Sequence, residues 1–248
     1  MLKLPVLEVV RSVAAEKSLV EKTKVWLQKE GEGRDKRIHA SDLLRPRKAY
    51  WNTQSPEPMT PRMAGNFMVG KVLHAFFHTI MSNKKGDSVV ETDVGGTWEP
   101  ELGISYSNDF EKDGIPYEYK TSRTINEQSV KDLGSYLKQL CIYIAAKKTL
   151  KGRLVVLRLM AKDKDKGYGT YPAYRAYEIS WTKKLMLEYR KQIIKVRTLL
   201  QKALKTNAKK DIAKLELCED WMCGKANCGH YDKCKPEGRY GTARFDKG

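Results

Sequence analysis

Between residues 87 and 181 the hydrophobic period of the chain switches from two to about 3.6 and back to two, and this restricts the fold more than any other feature. "DSVVETDV" (87–94), "ELGISYSNDF" (101–110) and "IPYEYKTS" (115–122) read as three antiparallel strands, joined by glycine-containing turns at "GGTWEP" and "EKDG". "INEQSVKDLGSYLKQLCIYIAAKKTL" (125–150) reads as a helix, with Leu133, Leu137, Leu140, Cys141 and Ile144 as its buried stripe. "GRLVVLRLMAK" (152–162) and "AYRAYEISW" (173–181) are two more strands around "DKDKGYGTYP". Upstream, "GNFMVGKVLHAFFHTIMS" (65–82) has helical spacing and turns Val69, Val72, Leu73, Phe76 and Ile80 toward a core. This order predicts an α/β domain whose mixed central sheet is flanked by helices.

The 248 residues suffice for one large domain, or for one domain with appendages. The expected organisation is an N-terminal helical region (1–62), a core (63–181), and a basic helix with a cysteine tail (182–248) packed as part of one unit. Residues 5–29 read as a first helix, Ser41 is placed to cap a short helix through Leu44, and the proline-rich 52–62 reads as a loop. No window approaches the run of about 18 apolar residues that spans a bilayer. The start carries no signal-peptide cleavage pattern, so a cytoplasmic protein, or one in the host cytoplasm if viral, is expected.

Net charge is +17, a balance that favours polyanions and above all a nucleic acid backbone. Much of it lies in 182–214, read as one long helix carrying eleven lysines and arginines, Arg190 among them, against Glu188 and Asp211. Lys191, Lys195 and Lys202 on that helix, with Arg123 after the third strand, are the candidate DNA contacts.

In "GIPYEYKTSR" (114–123), Glu118 and Lys120 point to one face of a strand and Tyr117, Tyr119 and Thr121 to the other. On the preceding strand Gly103, Ser105, Ser107 and Asp109 share a small, polar face. Pairing the strands gathers Asp109, Glu118 and Lys120. Two carboxylates and a strand carbonyl are the hard oxygen donors that Mg²⁺ or Mn²⁺ prefers, and a neighbouring lysine can activate water or steady a phosphate.

Asp109, "EYK" (118–120) and "QLCIY" (139–143) resemble the RecB-type branch of the PD-(D/E)xK nucleases, where a Q-x-x-x-Y motif follows the E-x-K strand. "GNFMVGKVLH" resembles that branch's histidine motif, ending at His74. "SDLLRPRKAYW" resembles the N-terminal signature of the CRISPR-associated RecB-like exonucleases, which end in an iron–sulfur cysteine cluster. The resemblance implies a restriction-endonuclease-like core in which Asp109, Glu118, His74 and the Tyr119 carbonyl hold the metal and Lys120 is catalytic. Gln139 and Tyr143 would touch the DNA strand near the cut. From the residues alone, Gln139 joins Asp132, Tyr136 and Tyr143 in a stripe off the apolar face of its helix.

Four of the five cysteines, Cys218, Cys223, Cys228 and Cys234, crowd into one short segment, which reads as a tetrathiolate site. The resemblance favours a 4Fe–4S cluster, with Zn²⁺ as the alternative. The relatives take one cluster ligand from the N-terminal signature, where this chain has Arg45, so the ligand set is expected wholly in the tail with Arg45 beside it. The resulting expectation is a metal-dependent DNA nuclease, an exonuclease on single-stranded ends, with CRISPR adaptation or recombination proteins as partners. The alternative is a non-catalytic nucleic-acid-binding protein with a zinc-stapled tail.

Overall fold

The structure is a computed structural model and describes residues 21, 22, 25, 37–57, 61–82, 96–122, 133–162, 170–218 and 228–234. Most of the expected first helix, the strand at 87–94, Arg123, Asp132 and Cys223 lie outside them, as do the side chains of His78 and Ile80. The described helices are α1 (Ala40–Leu44), α2 (Pro46–Gln54), α3 (Pro61–Ser82), α4 (Gly134–Ala146), α5 (Lys183–Thr206), α6 (Lys209–Ile212) and α7 (Tyr231–Cys234). The strands are β1 (Thr97–Glu99), β2 (Ile104–Tyr106), β3 (Phe110–Lys112), β4 (Ile115–Ser122), β5 (Lys151–Lys162) and β6 (Thr170–Ser180).

The expected mixed sheet is present, in the order β3-β4-β5-β6. Only β4 and β5 are parallel, because α4 carries the chain back between them, whereas the other neighbours pair antiparallel. Leu133, Leu140 and Ile144 from α4 and its start pack on Leu154 and Val156 and cover one face. Phe77 of α3 packs with Phe110, Tyr117, Tyr119 and Leu157 on the other. Phe77 and Tyr119 stack at 4.6 Å and 4°, a pair worth about 0.5–1.5 kcal/mol beyond the area it buries. Gly152 lets β5 approach α4: a Cβ there would meet Ile144 Cδ1 at 2.6 Å and Leu140 Cδ1 at 3.0 Å.

Several boundaries differ from the sequence reading. Residues 101–110 are not one strand. They turn at Gly103, whose φ of +65° suits glycine, form β2, and break again at 107–109 before β3. Asn108, buried, holds that second corner by donating Nδ2 to the Phe110 carbonyl at 2.7 Å. β1, within the segment read as a turn, pairs with β2 as a separate two-stranded sheet. The common face of Gly103, Ser105, Ser107 and Asp109 is therefore lost. On α3 it is Ala64 and Phe77 that are buried, while Val72 and Phe76 are exposed.

The expected loop at 52–62 is shorter, since α2 runs to Gln54 and α3 begins at Pro61. Helix α1 starts from His39, whose N–H donates to the Asp42 carboxylate at 2.8 Å, and not from Ser41, which lies inside the helix. The basic helix stops at Thr206. Asn207 adopts a left-handed φ of 50° and accepts the Tyr50 hydroxyl, a local bond no helical period reveals.

Arg190, counted by sequence among the exposed cations of this helix, is buried. It donates to the Ala145 carbonyl (2.6 Å), Glu99 (2.7 Å) and Glu101 (2.6 Å), joining α5, the end of α4 and the β1–β2 hairpin. Arg190→Met should cost about 3–5 kcal/mol of stability in urea unfolding, because it leaves the buried Glu99 without its cation. Adding Glu99→Leu should recover a substantial part of that loss. Gly152→Ala should cost about 1–3 kcal/mol through overpacking against α4.

Candidate active site

The break before β3 puts Asp109 where the next rung of the β3–β4 ladder would fall. Its backbone N–H donates to the Tyr117 carbonyl at 3.2 Å, and its Oδ2 accepts the Tyr119 N–H at 2.7 Å. A side-chain carboxylate thus replaces a main-chain acceptor, fixing Asp109 against the middle of β4. Its other oxygen, Oδ1, lies 3.5 Å from His74 Nδ1 of α3.

Glu118 is fully buried at the centre of the sheet, on the face that α4 covers. Its Oε1 accepts a hydrogen bond from Lys120 Nζ, two residues along the same face. Its Oε2 is buried and has no hydrogen-bond partner. An ionised carboxylate held so is costly unless another cation or donor completes it. Burial pushes the Lys120 ammonium below the ordinary lysine pKa; Asp109 opposes that shift and Arg45 adds to it. The aromatic ring of Tyr136 lies 5.9 Å from Nζ.

From α4, Gln139 Nε2 donates to the Tyr143 hydroxyl at 2.6 Å. Tyr143 is buried, packed on Tyr106, and its pKa is raised first by burial and then by the Asp109 charge. Of the stripe expected off the apolar face, Tyr143 is therefore turned into the core, while Gln139 and Tyr136 are half-buried. Tyr119 turns its ring away from Glu118, onto Phe77, and leaves its hydroxyl buried without a partner.

The structure thus sets Asp109 near enough to both Lys120 and Tyr143 for its charge to act on each, with Glu118 bonded to Lys120 and Gln139 to Tyr143. Among the described residues, no three His, Cys, Asp or Glu side chains form a ready ligand cluster. The acids arrive as two pairs, Asp109 with His74 and Glu118 with Lys120. Such a site suits a cation that keeps several of its waters, as Mg²⁺ does.

Of the candidate DNA contacts, Lys191, Lys195 and Lys202 are exposed on α5. Lys202 is engaged with the buried Asp211 at 3.4 Å. In the tail, Cys218, Cys228 and Cys234 are buried. Residues 228–234 are held to α2 and the residues after it: Gly229 N–H donates to Glu57 (2.5 Å), which also pairs with Lys48 (2.8 Å), and His230 Nε2 meets Asn52 Oδ1 at 2.6 Å. Arg45, expected beside this tail, stands at the start of α2, the helix whose Asn52 meets His230.

No family model matches the chain, and no curated protein matches it significantly. Among solved structures it is similar to the crystal structure of SSO0001, at 19% identity and a TM-score of 0.51 over 90% of this chain and 96% of that one. It also aligns with the alkaline exonuclease LHK-Exo from Laribacter hongkongensis, alone and in complex with dAMP. Each of those alignments has 18% identity and a TM-score of 0.45, over 73% of this chain and 95% of that one. The likeness to SSO0001 is one of fold: a mixed α/β architecture shared along nearly the whole of both chains.

Proposed function

We propose that the chain is a metal-dependent deoxyribonuclease acting on single-stranded DNA ends, hydrolysing phosphodiester bonds to a 5′-phosphate and a 3′-hydroxyl. The observation that carries this reading is the buried, unpartnered Oε2 of Glu118, next to a lysine whose pKa burial depresses and one strand from Asp109. Asp109 and Glu118, with His74 and the Tyr119 carbonyl completing the donor set, would hold Mg²⁺ or Mn²⁺, which would supply Lewis-acid chemistry for the phosphate and for water.

The chain's own residues do the rest. Lys120, pushed toward its neutral form, takes the proton of the attacking water, since a base works best when its pKa nears the operating pH. Gln139 and Tyr143, bonded to each other, border the strand beside the cut. The Tyr143 phenol stays protonated because burial and Asp109 both oppose its ionisation. Exposed Lys191 and Lys195 add phosphate contacts that hold the strand without reading its sequence. A protein that only bound DNA would have no use for a depressed lysine against a buried, incompletely bonded carboxylate. The setting we propose is DNA processing in CRISPR adaptation or in recombination and repair.

The tail we read as a structural metal centre on Cys218, Cys223, Cys228 and Cys234, a 4Fe–4S cluster or zinc. Cys218, Cys228 and Cys234 are buried in an otherwise polar segment, which supports it, though these three do not by themselves form a ready ligand cluster. Anaerobically purified protein should be brown with visible absorption if iron is bound, or colourless with about one zinc per chain. Elemental analysis that finds neither would remove the centre.

On end-labelled single-stranded DNA, Asp109→Ala, Glu118→Ala and Lys120→Ala should each reduce cleavage to background, as EDTA should, while DNA binding largely persists. Full activity in Glu118→Ala would refute the assignment. The cleavage rate should climb with pH along a limb whose midpoint lies below the ordinary lysine value of 10.5. Lys120→Arg cannot shed a proton at such pH and should lose both the limb and the rate.

A further inference from the structure

Phe67, Lys71 and His74 follow one another at i, i+4 and i+7 on α3, so they share one side of that helix. This side adjoins the line of Leu73 and Phe77, by which α3 packs on the aromatic layer of the sheet. At one end of the stripe, His74 Nδ1 lies 3.5 Å from Asp109 Oδ1, and the imidazole meets the Tyr119 ring edge-on at 6.5 Å. Two turns toward the start of the helix, Phe67 leaves 52% of its surface exposed, and Lys71 between them is exposed as well. Seven residues of α-helix measure about 10 Å. An aromatic ring, an ammonium and the carboxylate of the candidate site therefore lie along a track that a short stretch of one strand can follow.

The chemistry of the stripe selects what would cover it. An apolar partner surface would strip water from Lys71 and give nothing back. An unpaired nucleic acid strand offers π-faces to the ring and phosphates to the ammonium, and single strands are held in this way without sequence preference. A duplex keeps its base faces stacked on one another and has none to offer Phe67. The net charge of +17 favours the same polyanion. Met68, Val72 and Phe76, at i, i+4 and i+8, form a second exposed stripe on the side of α3 away from His74, with no charged member. That stripe serves as an internal control.

We propose that Phe67 is a base-stacking platform and Lys71 a phosphate contact for an unpaired strand that enters the site at His74 and Asp109. The inference rests on the nucleic-acid reading given above and specifies its substrate as a strand with an unstacked base beside α3.

Fluorescence anisotropy of end-labelled oligonucleotides with the full chain, in EDTA so that none is cut, tests this apart from catalysis. Phe67→Ala should weaken binding of single strands by roughly 10–100-fold, and Phe67→Trp should retain it, since it keeps a π-face. Duplex binding should be the same in Phe67→Ala and wild type. A single abasic nucleotide, moved along the strand, should weaken wild-type binding at one position, and there Phe67→Ala should cost nothing further. Lys71→Ala should lower the salt slope of single-strand binding by about one phosphate contact. Val72→Ser should bind every oligonucleotide as wild type does.

A Phe67→Ala protein that binds single strands as tightly as wild type would overturn the platform, whether or not the protein cuts DNA. So would equal losses in Phe67→Ala and Val72→Ser, the mark of a general apolar face that docks protein, or a loss as large on duplex as on single strands. An abasic effect that depends on Phe67 in a protein that cuts no DNA would keep the platform and dismiss the nuclease.

Discussion

The burial of one carboxylate, Glu118, at the centre of a four-stranded sheet organises this molecule. An ionised group in that position needs cations and donors around it, and each neighbouring element supplies or shapes one. β4 itself supplies Lys120. The early end of β3 brings Asp109 to the adjacent rung, and α4 lays Tyr136, Gln139 and Tyr143 along the same side. The opposite face is sealed by an aromatic layer of Phe77, Phe110, Tyr117 and Tyr119, which keeps water from approaching the carboxylate from below.

A second ionic group holds the frame. Arg190 bonds the end of α4 and the small β1–β2 sheet to α5, and Glu111 and Lys147 meet at 2.5 Å between β3 and the residue after α4. Both contacts lie at the C-terminal end of α4, the helix that carries Gln139 and Tyr143. The separation between that helix and the strand bearing Asp109 is therefore set by charge pairs as well as by apolar packing. Pairs of this kind add little net stability over apolar substitutes, but they tolerate little change of geometry.

What the sequence made legible follows physical range. The alternation in β4 and β5 and the 3.6-residue period of α4 are local properties, and the mixed sheet follows from their order. Glu118 and Lys120 could be placed together because they share one strand face. Asp109 could be brought near them only approximately, since its position depends on a strand break set by Asn108 and Gly103 and not on any period. The end of the basic helix at Asn207 depends on a bond to Tyr50, more than 150 residues away, which no window of sequence contains. Arg190 looked like surface charge because composition cannot tell a solvated arginine from one with two buried carboxylate partners.

Helix α2 has a further consequence. Arg45 caps its first turn, and Asn52 near its last turn meets His230 of the C-terminal segment. Among the described residues, the C-terminal segment meets the rest of the chain through Asn52 and Glu57, and neither belongs to the sheet that carries Glu118. Whatever the tail binds would therefore be felt at that sheet as a mechanical load passed through the packing of α2 on α5, where Tyr50 meets Leu200 and Ala203.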